Sequence, residues 1–261
     1  MLTGIDHIVI AVPDLSAAST RYADLGFTVV PGGRHPVGTH NALIAFSDGS
    51  YIELIAFYEK NPQHKWWEPL QRGGGLVDFC MQTDDLLADT AAFRRAGVEI
   101  DDPSPLSRVR PDGYQLKWVL SIPRAGFRGV APFLIQDQTP REERVPREHR
   151  HANGVIGIGT VTVAVEDGAR VHGWYVKALA QPGGDAVRDD LDAAGARFTI
   201  GPHALEFLQP RRPSSPLTEW LRTRGSAPYA ATLTTDAAAR GPLDPGQTSG
   251  ARLGLVGTGA K

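Results

Sequence analysis

One glutamate and one histidine interrupt runs that are otherwise apolar. Glu53 stands between Ile52 and Leu54 in SYIELIAF, and His7 stands in IDHIVIAV. A carboxylate in such a run is costly to bury without a partner. Read as strands, the two runs sort their side chains by alternation. Tyr51, Glu53, Ile55 and Phe57 share one face; Ile5, His7, Val9 and Ala11 share another, opposite Asp6, Ile8, Ile10 and Val12. Two chemistries suit the pair. Glu53 is either a general base beside a bound substrate or the hydrogen-bonded partner of His7 in a closed pocket. His40 and Asn41, just after Gly38-Thr39, offer hydrogen bonds to a ligand, or else a turn that Asn41 ties down. His35 is read as an ordinary loop histidine. Trp118, in WVLSIP, faces either a ligand or the core.

The elements that must position these residues repeat along the chain. DHIVIAV is bounded by Gly and Pro and reads as a strand. Asp14 is placed to cap a helix whose buried stripe is Leu15, Ala18, Tyr22 and Leu25. Strands at FTVV, HNALIAFS and SYIELIAFY follow, the last two joined at Asp48-Gly49, a hairpin signal. The order is βαβββ. At an offset of about 71 residues the pattern returns in GLVDFCMQTDDLLADTAAFRRAGVEI, with Phe93 where Tyr22 stood and Asp78 where His7 stood. At about 153 residues it returns again, with Asp167, Tyr175 and Glu206 answering Asp14, Tyr22 and Glu53, while Thr160 takes the place of His7. APYAATLTT and ARLGLV suggest an eroded fourth copy. A unit this small cannot cover its own sheet face. Two side by side make a strongly curved sheet with helices outside and a cavity inside. This predicts an α+β protein: paired modules over 1–140, a polar linker over 141–154, and degenerate modules over 155–261.

Other segments carry weaker signals. Trp66 and Trp67 are adjacent and read as packing beneath the connection between the first two modules. His149 and His151 fall in a polar segment that reads as solvated, although His151 or Asn153 can reach back to the first module. Cys80 lies in an apolar run and reads as a buried small hydrophobe. No Walker loop, Rossmann fingerprint or nucleophile elbow is present.

The bulk numbers narrow the class. The 261 residues are 41% hydrophobic and 21% charged, as in a globular protein with a proper core. A net charge of −2 provides no basic field for nucleic acid or an anionic membrane. A single cysteine, no signal-like N-terminus and no long apolar span point to the cytoplasm. A small molecule is the expected ligand.

The motif DHIVIAVPDL, the βαβββ repeat and SYIELIAF together resemble the vicinal oxygen chelate superfamily, in its glyoxalase-like branch. That resemblance implies paired modules around a cup, joined within one chain or across a homodimer. It implies a divalent-metal-dependent lyase, isomerase or dioxygenase acting on a small oxygenated metabolite. The alternative it leaves open is a metal-free binding or self-resistance protein of the bleomycin-resistance type. The metal (Mn, Fe, Zn, Ni or Mg) would be held by His7, Glu53 and Asp78. Tyr51, His40, Asn41 and Trp118 would contact the ligand. The counterpart of Glu53 in the second module falls near Phe133, which cannot ligate, and Gln136 should point to the other face.

Overall fold

The computed structural model describes residues 1–238 and 240–258; residues 239 and 259–261, the end of the expected C-terminal half, lie outside the described residues. The first module runs β1 (Leu2–Ala11), α1 (Leu15–Asp24), β2 (Val30–Arg34), β3 (Thr39–Ala45) and β4 (Tyr51–Phe57). A short helix, α2 (Trp67–Gln71), leads to the second: β5 (Gly75–Thr83), α3 (Leu86–Ala96), β6 (Ser104–Val109), β7 (Gln115–Ser121) and β8 (Phe133–Asp137). The eight strands close into a barrel in the order β1-β4-β3-β2-β6-β7-β8-β5. Within each module the first and last strands run parallel, and the modules meet where β1 and β5 run antiparallel. Both modules therefore belong to one chain.

Closure on the far side rests on a single pairing, Arg34 with Val109. Gly33 makes this approach possible: its φ is +142°, and a Cβ there would overlap Val109 O.

The third copy follows α4 (Arg141–Arg144) as β9 (Val155–Ala164), α5 (Gly168–Leu179), β10 (Gly184–Arg188), β11 (Ala193–Ile200) and β12 (His203–Pro210). Helix α6 (Pro216–Arg224) then precedes β13 (Ala227–Thr235), β14 (Gly241–Pro242) and β15 (Leu253–Gly257). Among the described residues these strands form one open sheet, β10-β11-β12-β9-β13-β15-β14. Its centre repeats the barrel's pairings: β12–β9 parallel, β9–β13 antiparallel, β13–β15 parallel.

The repeated signals fold alike. Asp14, Asp85 and Asp167 each accept a backbone N–H three residues on, capping α1, α3 and α5. Tyr22, Phe93 and Tyr175 are fully buried on those helices. One apolar cluster runs outside the barrel and through the C-terminal sheet, joining Ile8, Ile10, Ile52 and Leu54 to Val161, Phe198 and Phe207. Phe93 meets Tyr175 edge-on at 6.0 Å, and the Tyr175 hydroxyl donates to Val130 O. A second cluster, including Val9, Ala11, Ile55, Cys80, Trp118 and Phe133, lines the barrel interior.

Strict alternation fails where the strands slip: the register of β1 against β5 shifts at three places, and the one that shapes the site lies between Ile5 and His7. Asp6 is the extra residue of this β-bulge, so Ile5 packs in the outer cluster with Ile8 and Ile10 while Asp6 turns toward His7.

Candidate active site

The barrel encloses a cavity of about 370 Å³, lined by His7, Asn41, Tyr51, Glu53, Trp118 and Phe133, among others. Parallel pairing sets the floor: His7 lies beside Tyr51 and Val9 beside Glu53. His7 Nε2 stands 3.5 Å from Glu53 Oε2, so the partnership expected from the apolar faces is formed. The imidazole stacks on Tyr51 with centroids 4.5 Å apart and meets Phe133 edge-on at 5.3 Å.

The other nitrogen of His7 is fixed by the bulge. Nδ1 lies 2.7 Å from Asp6 Oδ1. Asp6 is completely buried and accepts from Arg144 (2.8 and 3.0 Å) and from Arg141. Burial alone would raise its pKa, but the two guanidiniums outweigh burial and hold it well below the carboxylate range. The ionised Asp6 therefore keeps the proton on Nδ1 and aims Nε2 at the cavity. Arg144 also donates to Asp137 and to the Tyr51 hydroxyl. These arginines come from α4, in the segment that reads as a solvated linker, and no periodic signal marked them.

The electrostatics of the pair follow. Burial would raise the Glu53 carboxyl, but His7, His35 and the Asn41 amide outweigh it and hold Glu53 at about 2. Asn41 Nδ2 donates to Glu53 Oε1 at 2.6 Å. Burial would lower His7, but Asp6 and Glu53 on its two nitrogens raise it above its usual 6.5. Of the two, His7, with its pKa raised, is the group placed to exchange a proton with a substrate, and Glu53, held ionised, is its counter-charge.

The remaining expectations divide. Asn41, Tyr51 and Trp118 line the cavity, whereas His40, one residue out of phase with Asn41, packs edge-on against Tyr58 outside it. His35 and His64 do line the cavity, and burial lowers both to about 4, with Lys65 helping at His64. Trp66 lines the cavity instead of lying beneath the connection. His149 is exposed. His151 is tied between Thr28 N–H and Ala45 O, and Asn153 donates to Leu25 O, so both reach back to the first module's backbone and not into the cavity. Gln136 caps α3 from outside, accepting from Leu86 N–H.

Asp78 does not join His7 and Glu53. Its Oδ2 accepts from Lys65 Nζ at 2.8 Å and from the Trp66 indole at 2.9 Å, which turns it into a neighbouring recess. In the C-terminal sheet, Glu206 pairs with Arg197, and Thr160 occupies the position of His7.

A glyoxalase-like domain model matches residues 5–179, more than half of the chain. The chain is a glyoxalase-like member of the vicinal oxygen chelate superfamily. This glyoxalase-like protein is 29% identical over 113 residues to an ethylmalonyl-CoA/methylmalonyl-CoA epimerase of Cereibacter sphaeroides, spanning 38% of its own length and 75% of the epimerase. Among solved structures it resembles a hypothetical protein from Staphylococcus aureus, with a TM-score of 0.71 at 16% identity over 97% of this chain and 99% of that one. It also resembles a mutant 4-hydroxymandelate synthase from Streptomyces coelicolor, with a TM-score of 0.61 at 15% identity over 91% and 72%. At such identities the two structures bear on the fold alone.

The resemblance implies a divalent metal held by donors from the first and last strands of the paired modules. Here His7 Nε2 and Glu53 Oε2 converge, Asp78 is turned away by Lys65 and Trp66, and Phe133 stands at the register position of Glu53, opposite Cys80. Asp6, His7 and Cys80 do approach within 4.8 Å of one another. However, Asp6 is already neutralised by two arginines, and burial pushes the Cys80 thiol well above its usual range. Neither set supplies three free donors for a divalent ion: the first has two, and the second counts an ion-paired carboxylate and a thiol that burial keeps protonated.

Proposed function

We propose that this protein is a metal-independent acid–base enzyme, an isomerase or lyase acting on a small oxygenated metabolite. The observation that carries the reading is His7, held by ionised Asp6 on one nitrogen and aimed with the other toward Glu53 on the floor of an apolar cavity. Neutral His7 removes a proton from the carbon beside a substrate carbonyl, leaving an enolate. Glu53 stabilises the imidazolium that forms. The proton then returns to the same or a neighbouring carbon, which is isomerisation, or the enolate expels a leaving group at the next carbon, which is elimination. The aromatic wall of Trp66, Trp118 and Phe133 lowers the local dielectric and so strengthens the attraction between these opposite charges. The epimerase relationship is consistent with proton transfer at carbon.

Solvent deuterium exchange tests this across several substrate classes at once. A panel of 2-oxo acids, hydroxyketones and thioesters is incubated with the enzyme in D2O, and loss of the acidic C–H signal is followed by NMR. Catalysed exchange is expected for one class, unaffected by chelator, and reduced roughly 100-fold or more in His7→Gln. The rate should rise with pH through a pKa above 6.5, as His7 loses its proton. One metal per chain, lost in His7→Ala and Glu53→Ala, would overturn the metal-independent reading. Tight binding with no exchange would instead select the second reading, sequestration of a planar ligand, which the aromatic wall favours.

A further inference from the structure

Cations cluster around the cavity, and all but one are accounted for. Arg144 is neutralised by Asp6 and Asp137, and Lys65 by Asp78. Arg128 lies exposed at the rim. Arg108 is different. It extends from β6 into the cavity and is only 3% exposed. Its guanidinium donates to Asn41 Oδ1 at 3.1 Å and to Arg144 O at 3.3 Å, both neutral acceptors, and among the described residues no carboxylate pairs with it. The nearest route to negative charge is indirect, through Asn41 to Glu53.

A buried, unneutralised guanidinium is expensive, and burial accordingly lowers the Arg108 pKa. The backbone is nevertheless shaped to hold it: a Cβ at Gly32 would overlap both Arg108 Nη1 and Asn41 Oδ1. We propose that Arg108 is the carboxylate receptor of the cavity and that the ligand is a small organic monocarboxylate. One free positive charge beside the fixed negative charge of Glu53 suits a single carboxylate better than a phosphate dianion. An acid's apolar remainder then lies against Trp118, Leu106 and Phe133, which line the same cavity. The carboxylate preference stands on Arg108 alone; the placement of the acid's carbon beside His7 rests on the reaction proposed above.

The test uses matched acid and amide probes on the 261-residue chain: 3-phenylpropionate with 3-phenylpropionamide, and 2-oxobutyrate with 2-oxobutanamide. Binding is read by calorimetry and tryptophan fluorescence near neutral pH. The acids are expected to bind roughly tenfold or more tighter than their amides, the scale of a charge-assisted bidentate contact. Arg108→Met should bring that ratio close to one, and Arg108→Lys should leave it intermediate. His7→Gln should keep the ratio while losing deuterium exchange. Should Arg108→Met not fold, Arg108→Lys carries the comparison. Equal binding of acid and amide, no acid binding up to about 10 mM, or a preference retained in Arg108→Met would each overturn the proposal. Exchange without carboxylate preference would remove this inference alone. Carboxylate preference without exchange would remove the reaction alone.

Discussion

At the residue scale, the site is a set of opposed titrations. His35 and His64 are half-buried and pulled down to about 4. In the unfolded chain both titrate near 6.5. Between about 6.5 and about 4 the unfolded state therefore binds more protons, and stability falls as the pH is lowered. Glu53 does not contribute in that window. Its stabilisation is complete above the unfolded value near 4.5 and is lost only as pH falls toward about 2. His7 acts in the other direction: its contribution is full below 6.5 and is lost as pH rises through its raised pKa. The urea midpoint should therefore peak near pH 6 to 7. Its acid limb should flatten in a His35→Asn/His64→Gln double variant. An unchanged acid limb in that variant would show that these two histidines are not the groups responsible.

At the element scale, two irregularities in strands build the site. The bulge at Asp6 allows consecutive residues to act together, with one holding the arginines and the other facing the cavity. The second irregularity is Gly32-Gly33, which makes room for Arg108 and allows β2 to meet β6. Gly33→Ala places a Cβ against Val109 O in a backbone region that L-residues rarely adopt. A loss of roughly 2–3 kcal/mol is expected in urea unfolding, in line with one strained residue plus one steric conflict. Gly49→Ala is a useful control for the strain term, since Gly49 also has positive φ but nothing lies within 4 Å of a Cβ there. If both variants lose the same amount, barrel closure at Gly33 carries no steric demand of its own.

At the scale of the whole molecule, the complete barrel packs against a half in which the histidine position is taken by Thr160. The helices α3 and α5 pack together, Phe127 meets Trp174 at 5.0 Å, and the Tyr22 hydroxyl donates to Thr248 O. A single apolar cluster spans both sheets. Residues 1–154 expressed alone should expose much of the outer face of β1, β5 and α3. Such a fragment should bind a hydrophobic dye and lack a sharp unfolding transition. A soluble fragment that melts cooperatively at the temperature of the full chain would show that the barrel is self-sufficient. No helix among the described residues is long and apolar enough to cross a membrane.

Much of this architecture is legible in the amino-acid sequence alone. Period-2 apolar runs, capping aspartates and the aromatic at Tyr22, Phe93 and Tyr175 recur along the chain, and local signals of that kind determine βαβββ units and their duplication. Alternation also places Glu53 and His7 on a shared interior, because side-chain parity along a strand is a local property. What local parity misses is anything that breaks it or crosses the chain. A bulge reverses the phase, which is why Ile5 packs outside and Asp6 turns to His7. His40, by contrast, obeys parity: out of phase with Asn41, it falls to the outer face. Asp78 keeps its position in the repeat, but Lys65 and Trp66, from a connection the repeat does not describe, take its carboxylate. Arg108 and Arg144 give no signal because arginine in a strand or a linker is normally solvated. Only the closed barrel buries them, and burial is what turns an ordinary arginine into an anchor for Asp6 or a receptor for a carboxylate.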